Sequence, residues 1–188
     1  MTADDYKKTF DDMYKMIFEL NSKLEQILCD GKKVWNHKSK TPYPLSLTYF
    51  KNRDSFTFNR KGDFLLITRE KERWVIKGVK GPTHIQLYKK GSDGNEIKLT
   101  KNEYSVCITG NGSLKLKINA DVECSKIRIR NKVFWEKSNV DDYPRAIYLT
   151  QSRNILLEFK EYKIVFGRRA GIYFQMYSTR NKKAGKYP

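Results

Sequence analysis

Leu114-Lys-Leu-Lys-Ile118 and Ile127-Arg-Ile-Arg130 decide the architecture. In both, apolar residues alternate with bases, so an extended chain has one greasy face and one charged face. Strands of this kind set one face into a core and the other in water, the habit of antiparallel sandwiches and barrels. The hairpin that leads into the first of them can be placed in register. A two-residue turn at Asn111-Gly112 would put Lys115 and Lys117 on the face of Val106 and Ile108. A three-residue loop, Gly110-Asn111-Gly112, sets Tyr104, Val106 and Ile108 beside Leu114, Leu116 and Ile118. A one-residue slip exchanges the faces of a strand, so the second register is expected, with Gly112 left-handed after a type I turn.

Outward from this hairpin, the residues favour strands at 45–50, 55–59, 63–68, 73–77, 83–89, 96–100, 104–109, 114–119, 126–135, 146–150, 155–160, 162–166 and 172–177. Lys61-Gly62, Gly81-Pro82, Ser92-Asp93-Gly94 and Asp142-Tyr143-Pro144 punctuate them. The expected fold is mainly β: an antiparallel sandwich or partly closed barrel over 45–178, with no strong internal repeat. Residues 32–44 read as a basic connector interrupted by two prolines, and 179–188 as a loose basic tail.

Residues 1–31 read differently. Tyr6, Phe10, Met13, Ile17, Leu20, Leu24 and Ile27 recur at helical spacing, which predicts one amphipathic helix. Thr2-Ala3-Asp4-Asp5 has the form of a capping box, and Asp30-Gly31 supplies a stop. Tyr14, Phe18 and Leu28 widen the apolar stripe, which suits packing on the chain's own β body or on a neighbouring subunit. Phe10, Met13, Ile17, Leu20, Leu24 and Ile27 are the candidate partner-packing seam.

Charge follows the same division. Residues 1–30 carry a net charge of −3 and the remainder +20, within a chain of +17. Such an excess attracts polyanions or acidic protein surfaces. Lysine outnumbers arginine 27 to 11, a bias that an AT-rich coding sequence also produces. Lys98, Lys115, Lys117, Arg128 and Arg130 form an outward stripe that could meet a polyanion or an acidic partner, or simply discourage aggregation of exposed strands. Arg168-Arg169, between Gly167 and Gly171, reads as the tip of a hairpin flanked by aromatic strands, suited to forking onto phosphate oxygens or to staying solvated.

No chemistry is spelled out. There is no P-loop, no dinucleotide fingerprint and no nucleophile elbow. Cys29, Cys107 and Cys124 lack metal spacing, and His37 and His84 are the only histidines. The acidic doublets Asp4-Asp5, Asp11-Asp12 and Asp141-Asp142 read as solvated surface. The expectations are no enzyme activity, no cofactor, no metal, no small-molecule substrate and no membrane, in a protein made in a cytoplasm without a secretion signal. The aromatics of 169–177 depart from the RNA-binding signature in their glycine spacing, which leaves sequence-independent contact with a DNA backbone.

The run Glu96-Ile-Lys-Leu-Thr-Lys-Asn-Glu-Tyr104-Ser-Val106, then Leu114-Lys-Leu-Lys-Ile118, then Ser125-Lys-Ile-Arg-Ile-Arg130, resembles small β modules of tailed-bacteriophage structural proteins. The likeness covers about 35 residues and rests on motifs shared by many β-sandwiches. It implies a virion component, a tail or head–tail connector subunit that binds copies of itself and other subunits, with the DNA backbone as a further candidate partner. Connector proteins of that kind usually contribute several helices, and one is expected here.

Overall fold

The computed structural model describes residues 3–139 and 142–180. The chain divides into two units, residues 1–81 with 108–112, and residues 82–107 with 113–188.

The first unit contains β1 (Tyr6–Asp11), β2 (Lys15–Leu20), β3 (Gln26–Cys29), β4 (Lys32–Asn36), β5 (Pro44–Phe50), β6 (Ser55–Arg60), β7 (Asp63–Glu70) and β8 (Arg73–Lys80). Six of these make one antiparallel sheet in the order β1-β2-β5-β6-β7-β8, and β3 and β4 form a separate hairpin. Val34 and Trp35 of the hairpin share one buried cluster with Leu24 and with Phe58, Leu65 and Ile67 of the sheet. The hairpin therefore lies over one face of the sheet, as a sandwich requires.

The second unit contains β9 (Ile85–Lys90), β10 (Glu96–Lys98), β11 (Tyr104–Ile108), β12 (Leu114–Ile118), β13 (Lys126–Ile129), β14 (Lys132–Glu136), β15 (Ala146–Leu149), β16 (Ile155–Glu158), β17 (Tyr162–Arg169) and β18 (Ile172–Arg180). Its six-stranded sheet runs β11-β12-β15-β16-β17-β18, and its second sheet runs β10-β9-β13-β14. Ile85, Leu87, Ile127 and Trp135 of the smaller sheet are buried with Leu116, Ile147, Leu157 and Ile164 of the larger.

The six-stranded sheets share one strand order, and most of their register corresponds, apart from shifts such as that at Val165/Phe166 in β17–β18, which β7–β8 lacks. Ile27 pairs with Trp35 across β3 and β4, and Ile127 with Trp135 across β13 and β14, each pair followed by a register shift. Leu47–Phe58–Leu65 in one sheet corresponds to Ile147–Leu157–Ile164 in the other. Two-residue turns with positive φ stand at Asp30-Gly31 and Lys71-Glu72, and again at Arg130-Asn131 and Ala170-Gly171. The chain is thus a duplication, which corrects the expectation of no strong repeat. Most counterparts differ in identity and share only their apolar character, so direct self-comparison of the residues is weak. Only points such as Trp35 and Trp135, or Tyr43-Pro44 and Tyr143-Pro144, are the same.

The N-terminal helix is not formed. Beyond a short 3₁₀ turn at Ala3–Asp5, residues 6–29 fold as β1, β2 and β3. Asp12 breaks the helical path, its Oδ1 accepting the N–H groups of Tyr14 at 2.8 Å and Lys15 at 2.7 Å. Asn21 and Ser22 close the other end of the β1–β2 hairpin, donating backbone N–H to Asp5 O. Aromatic and β-branched residues between these turns suit pleated strands better than a helix. The expected seam is dispersed accordingly. Leu24 is buried, Leu20 and Ile27 pack at the core margin, Ile17 is half-buried, and Phe10 and Met13 are exposed.

From residue 44 onward the expected strands are present, with one change: 126–135 is a hairpin, split by Arg130-Asn131. The three-residue loop is as expected, with Gly112 at φ 78° donating its N–H to Thr109 O. Tyr104 and Val106 pack on the cluster that holds Leu116 and Ile118. The sheets are open, so the body is not a closed barrel. The segment read as a connector, 32–44, contains β4 and the start of β5. β18 runs to Arg180; Asp141 and the rest of the tail, 181–188, lie outside the described residues, as does Thr2.

Candidate polyanion-binding site

Two hairpin ends of the second unit converge on a cleft of about 610 Å³, lined by His84, Arg130, Lys132, Phe134, Arg168 and Tyr173 among others. Arg130 heads the two-residue turn between β13 and β14, held at φ 49°. That left-handed conformation is the one a two-residue hairpin turn requires. Its backbone N–H donates to His84 O at 2.9 Å, which ties the turn to the segment entering β9. Arg168 comes from β17, with its guanidinium 5.7 Å from the Tyr173 ring centre. Phe134 supports that side by edge contacts to Phe166 at 4.8 Å and Tyr173 at 5.2 Å.

No carboxylate lines this cleft among the described residues. Arg128 nearby is paired with Glu96, Lys115 and Lys163 with Glu158, whereas Arg130, Lys132 and Arg168 form no salt bridge among the described residues. Nε of Arg168, like that of Arg128, is buried and has no hydrogen-bond partner among the described residues. An unmet buried donor costs roughly 1–3 kcal/mol. The imidazole of His84 is held below its ordinary value by burial first, then by the charges of Arg130 and Arg168. Such a pocket can bind an anion; it offers no nucleophile paired with a base. Among the described residues, no three His, Cys, Asp or Glu side chains gather to hold a metal ion. No helix among them is long and apolar enough to cross a membrane.

Arg130 and Arg168, expected from different features of the sequence, are thus brought together. Arg169 is exposed, next to Arg168 on a strand where neighbours face opposite ways. Both arginines are strand residues, since the turn itself is Ala170-Gly171. The expected basic stripe is divided between two sheets. Lys115 and Lys117 leave the outer face of the six-stranded sheet, because Leu116 and Ile118 fill the core. Arg128 leaves the outer face of the smaller sheet, opposite the buried Ile127 and Ile129. Lys115 is further occupied by the Tyr148 ring at 4.9 Å, and Arg128 by the Tyr88 ring at 5.0 Å and Glu96 at 3.1 Å. Lys98 is exposed on β10. His84, Lys132 and Phe134 were not anticipated. Reading Arg130-Asn131 as a turn would have placed Lys132 and Phe134 beside Arg130; nothing local marks His84.

Residues 4–63 and 96–163 both match one family model, FAINT, described as Domain of unknown function, DUF529. The chain belongs to this family. The two matched segments end at equivalent places, at the start of β7 and the start of β17, in keeping with the duplicated strand order. No curated protein and no solved structure matches the chain. The FAINT match carries no link to tailed-phage structural proteins.

Proposed function

We infer that this FAINT chain is a non-catalytic binding protein whose second unit holds a phosphate-bearing polyanion, of which a DNA backbone is the type case. One observation carries the reading: Arg130, Lys132 and Arg168 share a cleft that no carboxylate lines among the described residues. Guanidinium groups fork onto phosphate oxygens, and the aromatic wall beside them suits a sugar or base without selecting a sequence. Binding of a double-stranded DNA fragment should weaken with salt. Two or three neutralised phosphates give a slope of log K on log salt of about −2 to −3. Flat salt dependence, or no binding near roughly 50 mM salt, where such contacts are strongest, would remove the reading.

A second reading, a subunit of a larger assembly, is favoured by one feature. β18 is a nine-residue edge strand on which Ile172, Phe174 and Met176 stand exposed at alternate positions. Unpaired edges of that length invite pairing with another chain. Light scattering at rising concentration tests it, a strictly monomeric protein counting against it. Placement of that assembly in a virion rests on the sequence resemblance alone.

A further inference from the structure

The first unit has an empty place that the second unit fills. A groove of about 600 Å³ runs beside β3, lined chiefly by Tyr6, Phe18, Leu20, Ile27, Leu47 and Phe56. Strand register equates Phe18, Ile27, Leu47 and Phe56 with Leu116, Ile127, Ile147 and Ile155. Those four counterparts are at most 1 % exposed, buried with Ile85 and Leu87 of β9 and with Leu99. The first-unit residues are only half-buried. β9 reaches its position by pairing antiparallel with β13, Leu87 opposite Ile127 and Ile85 opposite Ile129. β3, the counterpart of β13, pairs with β4 alone, so its other edge carries no strand among the described residues.

We propose that this groove binds an extended peptide segment of a partner protein, added antiparallel to β3 as β9 is added to β13. Its aliphatic residues, two positions apart, take the places that Ile85 and Leu87 take in the second unit. Main-chain pairing supplies the binding, and alternate side chains entering the groove supply the selection. Charge defines the peptide further. In the second unit Lys126 and Arg128 face the inserted strands and pair with Glu96 of β10. The same positions in the first unit are Gln26 and Leu28. The fitting peptide is therefore uncharged where β10 brings its glutamate. A second copy of this chain does not supply it from β9, which is already paired on both sides.

The test titrates the full-length protein with a synthetic peptide of residues 83–90, the chain's own example of such a strand, followed by amide chemical shifts. The expected result is saturable binding with shifts concentrated at Gln26–Cys29, Leu20, Leu47 and Phe56. Replacing the two aliphatic residues of the peptide by serine should weaken binding by at least about tenfold, since both side chains lose their burial. Equal binding of the serine peptide, shifts confined to the β18 edge or to β13, or no saturation by about 1 mM, the weak end of specific recognition, would overturn it.

Discussion

The two units share the strand order of their six-stranded sheets and most of their register and turns, yet they present opposite surfaces. Where the second unit has two extra strands over its core, the first has an open apolar groove. Where the second has Arg130 at a turn and Phe134 after it, the first has Asp30 and Val34. Its counterparts of Arg168 and Tyr173 are Arg69 and Trp74. Duplication has left one scaffold and changed what surrounds it: added strands complete a core, and substitutions at hairpin ends collect positive charge. A fold conserved between the copies says little about function, which resides in these differences.

The largest effect expected from that comparison concerns β9. If it belongs to the second unit's core, Leu87→Ala should cost about 3 kcal/mol of unfolding free energy in a urea titration, the usual range for a fully buried leucine. A loss below about 1 kcal/mol would make β9 a peripheral addition and blunt the contrast with the open groove.

Next in size is Tyr148, whose hydroxyl donates to Glu158 at 2.6 Å on the second unit's sheet. Its register counterpart in the first unit is Thr48. Tyr148→Phe should cost about 1 kcal/mol at neutral pH. Burial pulls the Glu158 carboxyl upward, but bonds from Tyr148 and Lys163 with the charges of Lys163 and Lys115 hold it below its ordinary 4.5. A folded value below the unfolded one gives stability that is present above pH 4.5 and lost as pH falls. The Tyr148→Phe variant should therefore lose less on acidification than the parent, as thermal melts between pH 3 and 7 would show.

A smaller effect, of opposite sign, is expected at the last hairpin. The second residue of this turn is Gly171 at φ 84° in the second unit and Glu72 at φ 65° in the first. Glu72→Gly should raise stability by roughly 0.5–1 kcal/mol, because glycine adopts that conformation without a Cβ penalty. No change in melting temperature would mean that the first unit's turn carries no strain to relieve.

His84 gives the finest distinction, since it belongs to the cleft of the second unit. Held below its ordinary value by burial and by Arg130 and Arg168, it should gain its proton as pH falls below the usual histidine range. Affinity for DNA should then rise from pH 7 to pH 5, and His84→Gln should flatten that rise. A pH profile identical in parent and variant would detach His84 from the site.

Much of this was legible from residue 44 onward. Alternation in Leu114–Ile118 and Ile127–Arg130, and turn residues such as Lys61-Gly62, placed most strands near their observed bounds. The N-terminal stretch reads as a helix because spacings of three and four residues also arise when two short strands meet at a turn. Asp12 and Asn21-Ser22 were the turn signals that the periodicity concealed. Duplication was obscured by exchanges such as Phe58 for Leu157 and Leu65 for Ile164, which preserve burial and lose identity. The cleft was half-legible. Arginine at hairpin ends suggested phosphate, but only the packing of the two sheets on one core brings Arg130 near Arg168 and turns Lys115 and Lys117 away.

Fluorescence anisotropy of labelled duplex DNA at low salt, comparing three proteins, tests the assignment most directly. The Arg130→Ala/Arg168→Ala double variant should bind about 100-fold more weakly than the parent, two charge-assisted contacts being lost. A Lys115→Ala/Lys117→Ala variant, which removes as much charge from the outer sheet face, should stay within about threefold of the parent if the cleft is the site, since the affinity term scales with the phosphates actually contacted. Equal losses in the two variants would show that net charge, not the cleft, attracts the polyanion.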